Sequence, residues 1–365
     1  MKKKAVQRIL NVAPYQPGRP IDEVKRELGL KNVIKLASNE NPFGPSEKVL
    51  KAIQCAAGDV NRYPDGGCYD LRQALSQTLA VAPEELIFGN GSDELIIMAI
   101  RAFVEPGDRV IISQPSFAVY TIGSRIAGAD LAVVPMDDFC HDLDAMAAQI
   151  KEKTKLIFID NPGNPSGRYV SSDDLLAFMR AVPRDVAVFL DEAYYEYVRD
   201  DDYPQTISWI EEFPNLIISR TFSKMYGLAG LRIGYAVACT EMIDILDRVR
   251  EPFNINSLAQ AAAIACLDDQ DHYGRCARIF DQERVILTNG IKKIGLIPVP
   301  SVTNFVLVDL GRPAAPVVQA LLERGVIVRD MTAWGLSTFL RVTIGTPAEN
   351  CSFLSALEAV WNHKE

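Results

Sequence analysis

A lysine set among hydroxyl groups and glycines is the most chemically specific feature of the sequence. The segment Ser219–Gly234 holds Lys224 together with Thr221, Ser223 and Arg232. A lysine whose neutral amine is favoured by burial or by neighbouring cations is a nucleophile that can form a Schiff base with a carbonyl compound. Hydroxyl and guanidinium groups beside it can bind a phosphate. The plain alternative is a surface lysine in a flexible loop.

A carboxylate ends an apolar run at Val186–Asp191, and Tyr194 follows three residues later. A buried carboxylate is costly unless it is paired. Asp191 therefore needs a partner, and a protonated ring nitrogen of a ligand would be a matching one. A structural role, as a helix cap or in an ion pair, is the alternative.

Two further loops have the composition of ligand-binding loops. Gly89–Glu94 joins a predicted strand to a predicted helix that begins near Ser92 and Asp93, and the free backbone N–H groups of such a helix end bind phosphate. A plain turn with Ser92 as the helix cap is the alternative. Two Asn-Pro pairs make Asn161–Gly167 a rigid loop, which can present Asn164 to a ligand.

Each of these loops follows a short apolar run that is typical of a buried strand. The predicted strands are Glu85–Asn90, Arg109–Ser113, Leu131–Pro135, Lys155–Asp160, Val186–Asp191, Asn215–Arg220 and Arg232–Ala238. Helical spacing at Asp93–Phe103 and Ser171–Arg180 separates some of them. This alternation predicts an α/β layer with a mostly parallel sheet flanked by helices. The loops at the carboxyl ends of such strands face one crevice.

The last third of the chain changes to a different pattern of long helices and fewer strands. The predicted elements are helices at Ser257–Asp268, His272–Ile294, Val317–Glu323 and Glu349–Asn362, and strands at Asn304–Leu310, Gly325–Arg329 and Leu340–Ile344. Prolines 14, 17 and 20 predict that the chain begins as an extended arm. We therefore predict a large domain at 39–264, with 1–38 and 265–365 forming the arm and a smaller α+β domain.

Composition limits the possible partners. The 365 residues, about two domains in length, carry a net charge of -9, which argues against nucleic acid as a partner. Apolar stretches are short and broken by charges, so we expect no membrane span. Seven cysteines form no C-x-x-C pair, and the three histidines lie far apart. These counts favour reduced, mostly buried thiols in a cytoplasmic protein without a metal site.

The motifs, in this order along the chain, carry a family resemblance. N-P-G-N-P-S-G at Asn161–Gly167, D-E-A-Y at Asp191–Tyr194 and S-K-x-x-G-L-A-G-L-R-I-G at Ser223–Gly234 resemble the fold-type I aminotransferases. Four further stretches are similar to the histidinol-phosphate aminotransferase family, namely Leu36–Ser46, Arg62–Gly66, Gly91–Glu94 and Phe339–Thr346.

The resemblance implies pyridoxal 5'-phosphate as the cofactor, bound by Lys224 as a Schiff base. Asp191 would pair with the pyridine nitrogen, while Asn164 and Tyr194 would hydrogen-bond the ring hydroxyl and Phe117 would stack on the ring. The implied phosphate ligands are Ser92, Asp93 through its backbone, Ser223 and Arg232, with Thr221 orienting the loop. Tyr63 would reach the phosphate from the neighbouring subunit, which implies a homodimer.

The resemblance also implies an amine donor and a 2-oxo acid as substrates, with histidinol phosphate and 2-oxoglutarate as the expected pair. A guanidinium can bind either a carboxylate or a phosphate, and this suits Arg341 and Arg329 to both half-reactions. Tyr15 and Asn39 are further candidates for substrate contacts. For Arg329, a surface strand residue is the open alternative.

Other activities share much of this pattern. An aromatic amino-acid aminotransferase or a phospho-amino-acid decarboxylase of the same fold would keep nearly every motif, because the cofactor chemistry is common to them. More distant alternatives are a regulator that binds the cofactor without catalysis and a nicotinamide oxidoreductase. Glu94, where a dinucleotide fingerprint needs glycine, argues against the oxidoreductase.

Overall fold

Helices and strands alternate through most of the computed structural model, which describes residues 4–362. The α-helices are α1 (Ile21–Leu28), α2 (Glu47–Ala56), α3 (Tyr69–Leu79), α4 (Ser92–Phe103), α5 (Ala118–Ala127), α6 (Leu143–Ala148), α7 (Ser172–Ala181), α8 (Thr240–Asp247), α9 (Ser257–Leu267), α10 (Gln270–Lys293), α11 (Ala314–Glu323) and α12 (Pro347–Asn362). The strands are β1 (Ile34–Lys35), β2 (Leu86–Gly89), β3 (Arg109–Gln114), β4 (Asp130–Pro135), β5 (Thr154–Asp160), β6 (Ala187–Asp191), β7 (Leu216–Thr221), β8 (Gly234–Val237), β9 (Ile297–Pro298), β10 (Phe305–Asp309), β11 (Val326–Ile327), β12 (Arg329–Asp330) and β13 (Phe339–Thr343).

The predicted α/β sheet is confirmed as a seven-stranded sheet in the order β2-β8-β7-β6-β5-β3-β4. All neighbours are parallel except the two pairs that contain β8. The strand β8 returns directly from β7 through a loop, without a crossover helix, and therefore runs antiparallel to it. The loop between them is the one that carries Lys224.

Both faces of this sheet are buried, which explains the unbroken apolar runs of its strands. On β6, Val188 and Leu190 pack into one hydrophobic cluster, while Ala187 and Phe189 pack into a second cluster. Successive side chains of a strand point to opposite faces, so each cluster covers one face. The strand therefore has no solvated side, and its polar residues are confined to its ends.

The C-terminal part contains a four-stranded sheet in the order β12-β13-β10-β9, and all its pairs are antiparallel. The prediction of one strand at Gly325–Arg329 was wrong. Two short strands replace it: β11 pairs with β1 of the N-terminal arm, while β12 pairs with β13. The residue pattern of Gly325–Arg329 predicts extended structure, but it cannot show that the two halves of the segment pair with different strands.

The N-terminal arm is less extended than predicted. Residues 12–20 have no helix or strand, but α1 follows Pro20 and β1 joins the arm to β11. The division at 264/265 falls within α9, which continues to Leu267. The domain bounds stay a prediction.

Two smaller expectations changed. The helix α4 begins at Ser92, with Gly91 as its N-cap and no side-chain cap, so Ser92 is not the cap. All seven cysteines are free thiols, but Cys55 and Cys351 are exposed, and fewer of the thiols are buried than expected. Within residues 4–362, no helix combines the length and the apolar character needed to cross a membrane.

A buried ion pair fixes the carboxyl ends of β6 and β7. Arg220 Nε donates to Glu192 Oε2 at 2.8 Å, and Thr206 Oγ1 donates to Glu192 Oε1 at 2.6 Å. The guanidinium also lies 3.4 Å from the ring centroid of Tyr195. Glu192 directly follows Asp191, so the pair holds the strand end from which the Asp191 carboxylate projects.

We expect Glu192→Ala to lower the free energy of unfolding by about 3–5 kcal/mol, because it leaves the buried guanidinium of Arg220 without its hydrogen-bonded counter-charge. Urea unfolding of the purified protein measures the loss. The control is Asp244→Ala, which removes an exposed partner of Arg248 and should leave the unfolding midpoint unchanged. Equal effects of the two substitutions would contradict a structural role for the buried pair.

Candidate active site

Two adjoining cavities, of about 230 Å³ and 80 Å³, lie at the carboxyl ends of β5, β6 and β7. Six residues line both of them, namely Tyr15, Ser38, Phe117, Asn164, Tyr194 and Lys224. Every predicted site residue except Tyr63 lines one or both, namely Tyr15, Asn39, Ser92, Asp93, Phe117, Asn164, Asp191, Tyr194, Thr221, Ser223, Lys224, Arg232, Arg329 and Arg341. Which group each of them binds stays a prediction.

The amine of Lys224 lies inside this cleft rather than on the surface. Its Nζ donates to the carbonyl oxygen of Ser38 at 3.4 Å and lies 5.7 Å from the ring centroid of Tyr194. Burial, and then the positive charge of Arg341, lowers the pKa of Lys224 to about 8. A substantial fraction of the amine is therefore neutral, and nucleophilic, near physiological pH.

A close approach of two loops holds Lys224 in place. Gly227 has φ +71°, and a Cβ there would lie 2.9 Å from the backbone of Gly44. Asn41 Nδ2 also donates to the carbonyl of Met225 at 2.7 Å. The glycine is needed for both its conformation and its lack of a side chain. The loop that carries Lys224 is thereby fixed against the segment that follows β1.

Asp191 is 5% exposed, and two neutral groups donate hydrogen bonds to its carboxyl group. Tyr120 Oη donates to Oδ2 at 2.7 Å, and the backbone N–H of Ala193 donates to Oδ1 at 3.1 Å. Burial is the main cause that raises the pKa of Asp191 to about 7, and the nearby carboxylate of Asp160 adds to it. A cationic ligand group beside Asp191 would stabilise its ionised form.

Sequence reasoning missed the second carboxylate of this site. Asp160 ends β5 and is the register partner of Asp191 at the end of β6. Its Oδ2 accepts from the backbone N–H of Asn164 at 2.7 Å, and its Oδ1 lies 3.1 Å from His141 Nε2. The position of Asp160 at a strand end was visible in the sequence. The pairing with His141 was not, because the two residues belong to different elements.

The glycine loop and the lysine loop form a cradle for an anion. Arg232 Nη2 donates to Asp93 Oδ2 at 3.0 Å, and its Nη1 lies 3.5 Å from Ser223 Oγ. Gly91 has φ +77°, and a Cβ at that position would collide with the guanidinium of Arg232. The N-terminus of α4 adds free N–H groups beside them. Thr221 accepts from the N–H of Ser223 at 3.1 Å and so orients that loop.

A hydrogen-bond network connects the two cavities. Asn39 Nδ2 donates to Tyr194 Oη at 2.8 Å, and Asn164 Nδ2 donates to the same oxygen at 3.4 Å. Arg341 donates from Nη1 to Asn164 Oδ1 and from Nη2 to the carbonyl of Ala37. Within the described part of the chain, the buried Nε of Arg341 has no hydrogen-bond partner. This free donor suits an incoming carboxylate or phosphate.

Arg329 stands at the other side of the smaller cavity. Its guanidinium lies 4.9 Å from the Trp334 ring centroid and 6.0 Å from that of Tyr15, and it donates to the carbonyl of Gln16 at 2.5 Å. Arg329 is therefore held between two aromatic rings at the cleft rather than extended into solvent. Sequence reasoning missed Trp334, which no local motif marked.

Tyr63 is the predicted residue that the single chain does not bring to the site. Its side chain is 83% exposed and stacks on Phe253 with ring centroids 4.8 Å apart. Neither cavity includes it. Its predicted role needs a second copy of the chain.

Comparison with known proteins decides the family. The model of the family described as aminotransferase class I and II matches residues 31–357. The chain belongs to this aminotransferase family. A histidinol-phosphate aminotransferase of Brevibacillus brevis is 50% identical to this aminotransferase over 354 residues, which are 97% of each chain. A second relative, histidinol-phosphate aminotransferase 1 of Nitrosococcus oceani, is 47% identical over 96% of this chain and 95% of its own.

A solved structure has the same fold as this aminotransferase. The histidinol-phosphate aminotransferase of Sinorhizobium meliloti, in complex with pyridoxal-5'-phosphate, superposes with a TM-score of 0.91. It is 32% identical, and the match covers 98% of this chain and 99% of the other. The match confirms the predicted fold class, a fold-type I transferase. The aminotransferase family also excludes the oxidoreductase alternative.

We expect Asp191→Asn to stabilise the ligand-free aminotransferase more at pH 8 than at pH 5. Burial raises the pKa of Asp191 from 3.8 to about 7, so its contribution to stability is lost as the pH rises through this interval. Asparagine does not titrate. Its Oδ1 can still accept from the N–H of Ala193, and its NH2 group can donate to Tyr120 Oη, which reverses the direction of that hydrogen bond. The difference between the two pH values should be on the order of 1–3 kcal/mol.

Urea unfolding of the ligand-free wild type and variant at both pH values measures this difference. The control is Asp185→Asn, which changes an exposed carboxylate near the amino end of β6 and should act equally at the two pH values. A stabilisation by Asp191→Asn that is the same at pH 5 and pH 8 would show that Asp191 does not titrate between them.

Proposed function

We propose that the protein is a pyridoxal 5'-phosphate-dependent aminotransferase of histidine biosynthesis. It would convert histidinol phosphate and 2-oxoglutarate to imidazole acetol phosphate and glutamate. One observation carries the proposal, namely that three features line one cleft. They are the Lys224 amine with its lowered pKa, the buried Asp191 carboxyl group with neutral donors, and the anion cradle beside Arg232. The relatives' names and the likeness over nearly the whole chain support the substrate pair.

The residues of the larger cavity fit this cofactor. The phosphate matches the cradle of Ser92, Ser223 and Arg232, and the ring nitrogen matches the carboxylate of Asp191. Phe117 lines the cavity where a ring face would lie. When bound, the cofactor supplies an electron sink that stabilises negative charge at the substrate's reacting carbon. The protein supplies the orientation of the ring and the charge that keeps its nitrogen protonated.

Lys224 has two tasks in this proposal. Its amine would hold the cofactor covalently until an amine substrate takes its place. The freed Nζ would then take a proton from the reacting carbon of the substrate as a general base, and would deliver it as a general acid to the cofactor carbon that is bonded to the amino nitrogen. A pKa of about 8 suits both directions, because neither protonation state is strongly disfavoured at neutral pH.

The two arginines of the smaller cavity support a substrate with an anionic end. Arg341 is buried with a free Nε, and Arg329 is stacked between Tyr15 and Trp334. Both can bind the phosphate of histidinol phosphate or a carboxylate of 2-oxoglutarate. Tyr15 lines both cavities and could add a hydroxyl to either anion. A single site can thereby accept both substrates in turn.

We expect histidinol phosphate to convert the bound cofactor to its amine form at least about 100-fold faster than phenylalanine does, because phenylalanine brings one carboxylate and no phosphate to the two arginines of the smaller cavity. Stoichiometric holoenzyme is mixed with each amine without acceptor, and the visible spectrum is followed by stopped flow. Phosphothreonine is the third amine, since it carries both a phosphate and a carboxylate.

The competing activities have distinct outcomes in this experiment. A faster reaction with phenylalanine would favour an aromatic amino-acid aminotransferase. Release of carbon dioxide from phosphothreonine would favour a decarboxylase. No spectral change with any amine would favour a cofactor-binding regulator.

We also propose that the enzyme is a cytoplasmic homodimer in which Tyr63 completes the neighbouring site. Tyr63 stacks on the exposed ring of Phe253, and Val60 and Tyr69, which are close to Tyr63 in the sequence, are exposed as well. Clustered exposed apolar surface is typical of a protein interface. The free thiols, two of them exposed, suit a reducing compartment.

We expect Tyr63→Ala and Lys224→Ala to complement each other in one dimer. The hybrid carries one site with both Lys224 and a partner's Tyr63, so it should have about half of the wild-type activity, while each variant alone has little. Co-expression with two different tags and tandem purification yields the hybrid. A hybrid no more active than its parents would show that Tyr63 serves its own subunit or neither.

A further inference from the structure

The hydroxyl group of Tyr194 is surrounded in a way that fixes the direction of its proton. Its oxygen accepts from Asn39 Nδ2 at 2.8 Å and from Asn164 Nδ2 at 3.4 Å. A phenolic oxygen has few acceptor sites, and two amide donors occupy them. The O–H of Tyr194 is therefore left to donate to a third group, and the residue lines both cavities.

This arrangement depends on how the two amides are turned, since a flipped amide would present an acceptor to Tyr194. The amide of Asn164 is oriented by Arg341, which donates to its Oδ1. The amide of Asn39 is oriented by Thr343, whose Oγ1 donates to Asn39 Oδ1 at 3.2 Å and accepts from Asn39 N at 2.9 Å. Each amide thus has one orienting residue.

Both orienting residues come from the same strand. Arg341 and Thr343 are two residues apart on β13 and therefore project from the same face. Their register partners on β10 are Leu307 and Phe305. Two side chains of the C-terminal sheet thereby contact residues of the cleft. Each of them orients one amide that donates to Tyr194.

The protein contacts of Asn39 suit it to this task. It is 1% exposed and has φ +54°, a conformation that non-glycine residues rarely adopt. Its carbonyl accepts from Asn304 Nδ2 at 3.0 Å, so its backbone N–H, its carbonyl and its amide all have protein partners. The substrate contact that the sequence suggested for Asn39 stays a prediction, since the residue also lines the smaller cavity.

We propose that Thr343 is a positioning residue for the reaction: it orients the Asn39 amide so that Tyr194 donates its hydroxyl proton toward the ring oxygen of the bound cofactor. The inference rests on the proposed function, which supplies that oxygen. A donated hydrogen bond stabilises the ionised ring oxygen. Loss of the orientation weakens this bond and raises the pH at which the visible absorption of the holoenzyme titrates.

The test is a spectroscopic pH titration of substrate-free holoenzyme. Thr343→Val keeps the shape but removes the hydroxyl, and the midpoint should rise by at least about half a pH unit. Thr343→Ser restores the hydroxyl and should restore the wild-type midpoint. Asn39→Gly, which tolerates the positive φ and removes the amide, should shift the midpoint in the same direction and keeps the test decisive if the valine variant does not fold.

A matched control separates positioning from general destabilisation. Thr154 is a buried threonine at the amino end of β5, and its Oγ1 accepts from the backbone N–H of Lys151 at 2.8 Å. Thr154→Val should lower thermal stability without moving the spectroscopic midpoint. Wild-type midpoints in both Thr343→Val and Asn39→Gly would overturn the inference alone. A wild-type protein that shows no cofactor absorption would overturn the proposed function as well.

Discussion

A carboxyl group buried at the end of β6, with neutral donors, is the constraint on which the cleft depends. Asp191 accepts from a phenol and a backbone amide, and burial holds its pKa near 7. In the ligand-free protein a substantial fraction of this carboxyl group is therefore protonated at neutral pH. A cationic ring beside Asp191 would offset the cost of burying its ionised form. The protein by itself therefore favours ligands that carry such a ring.

The amine of Lys224 is the counterpart of this carboxyl group. Burial shifts the two pKa values toward each other, to about 7 and about 8, because it disfavours both charged forms. Arg341 and Arg232 add positive charge near the lysine, and the carboxylates of Asp93 and Glu40 partly offset it. Asp160, which His141 contacts, adds negative charge near Asp191. Each of the two pKa values therefore reflects both burial and the charges nearby.

Residues of both sheets hold the groups of the cleft in place. The seven-stranded sheet carries Asp160, Asp191 and Thr221 at adjacent strand ends, and its burial on both faces makes those positions rigid. The four-stranded sheet contributes Arg329 and Arg341, which line the smaller cavity, and Thr343, which bonds to Asn39. The segment around Asn39 lies between them and bonds to both.

The sequence alone determined the α/β sheet, all seven of its strands and most of the predicted residues that line the cleft. The strands, and loop residues such as Asp191 and Lys224, follow from short-range patterns, and such patterns reflect local geometry. Tyr15, Asn39 and Phe117 were expected from the family resemblance instead. Tertiary structure decided the rest. The pairing of Asp160 with His141, the split of Gly325–Arg329 and the contact of Thr343 with Asn39 join residues from separate elements. A single sequence carries no periodic signal for such contacts, because they follow from how the elements pack.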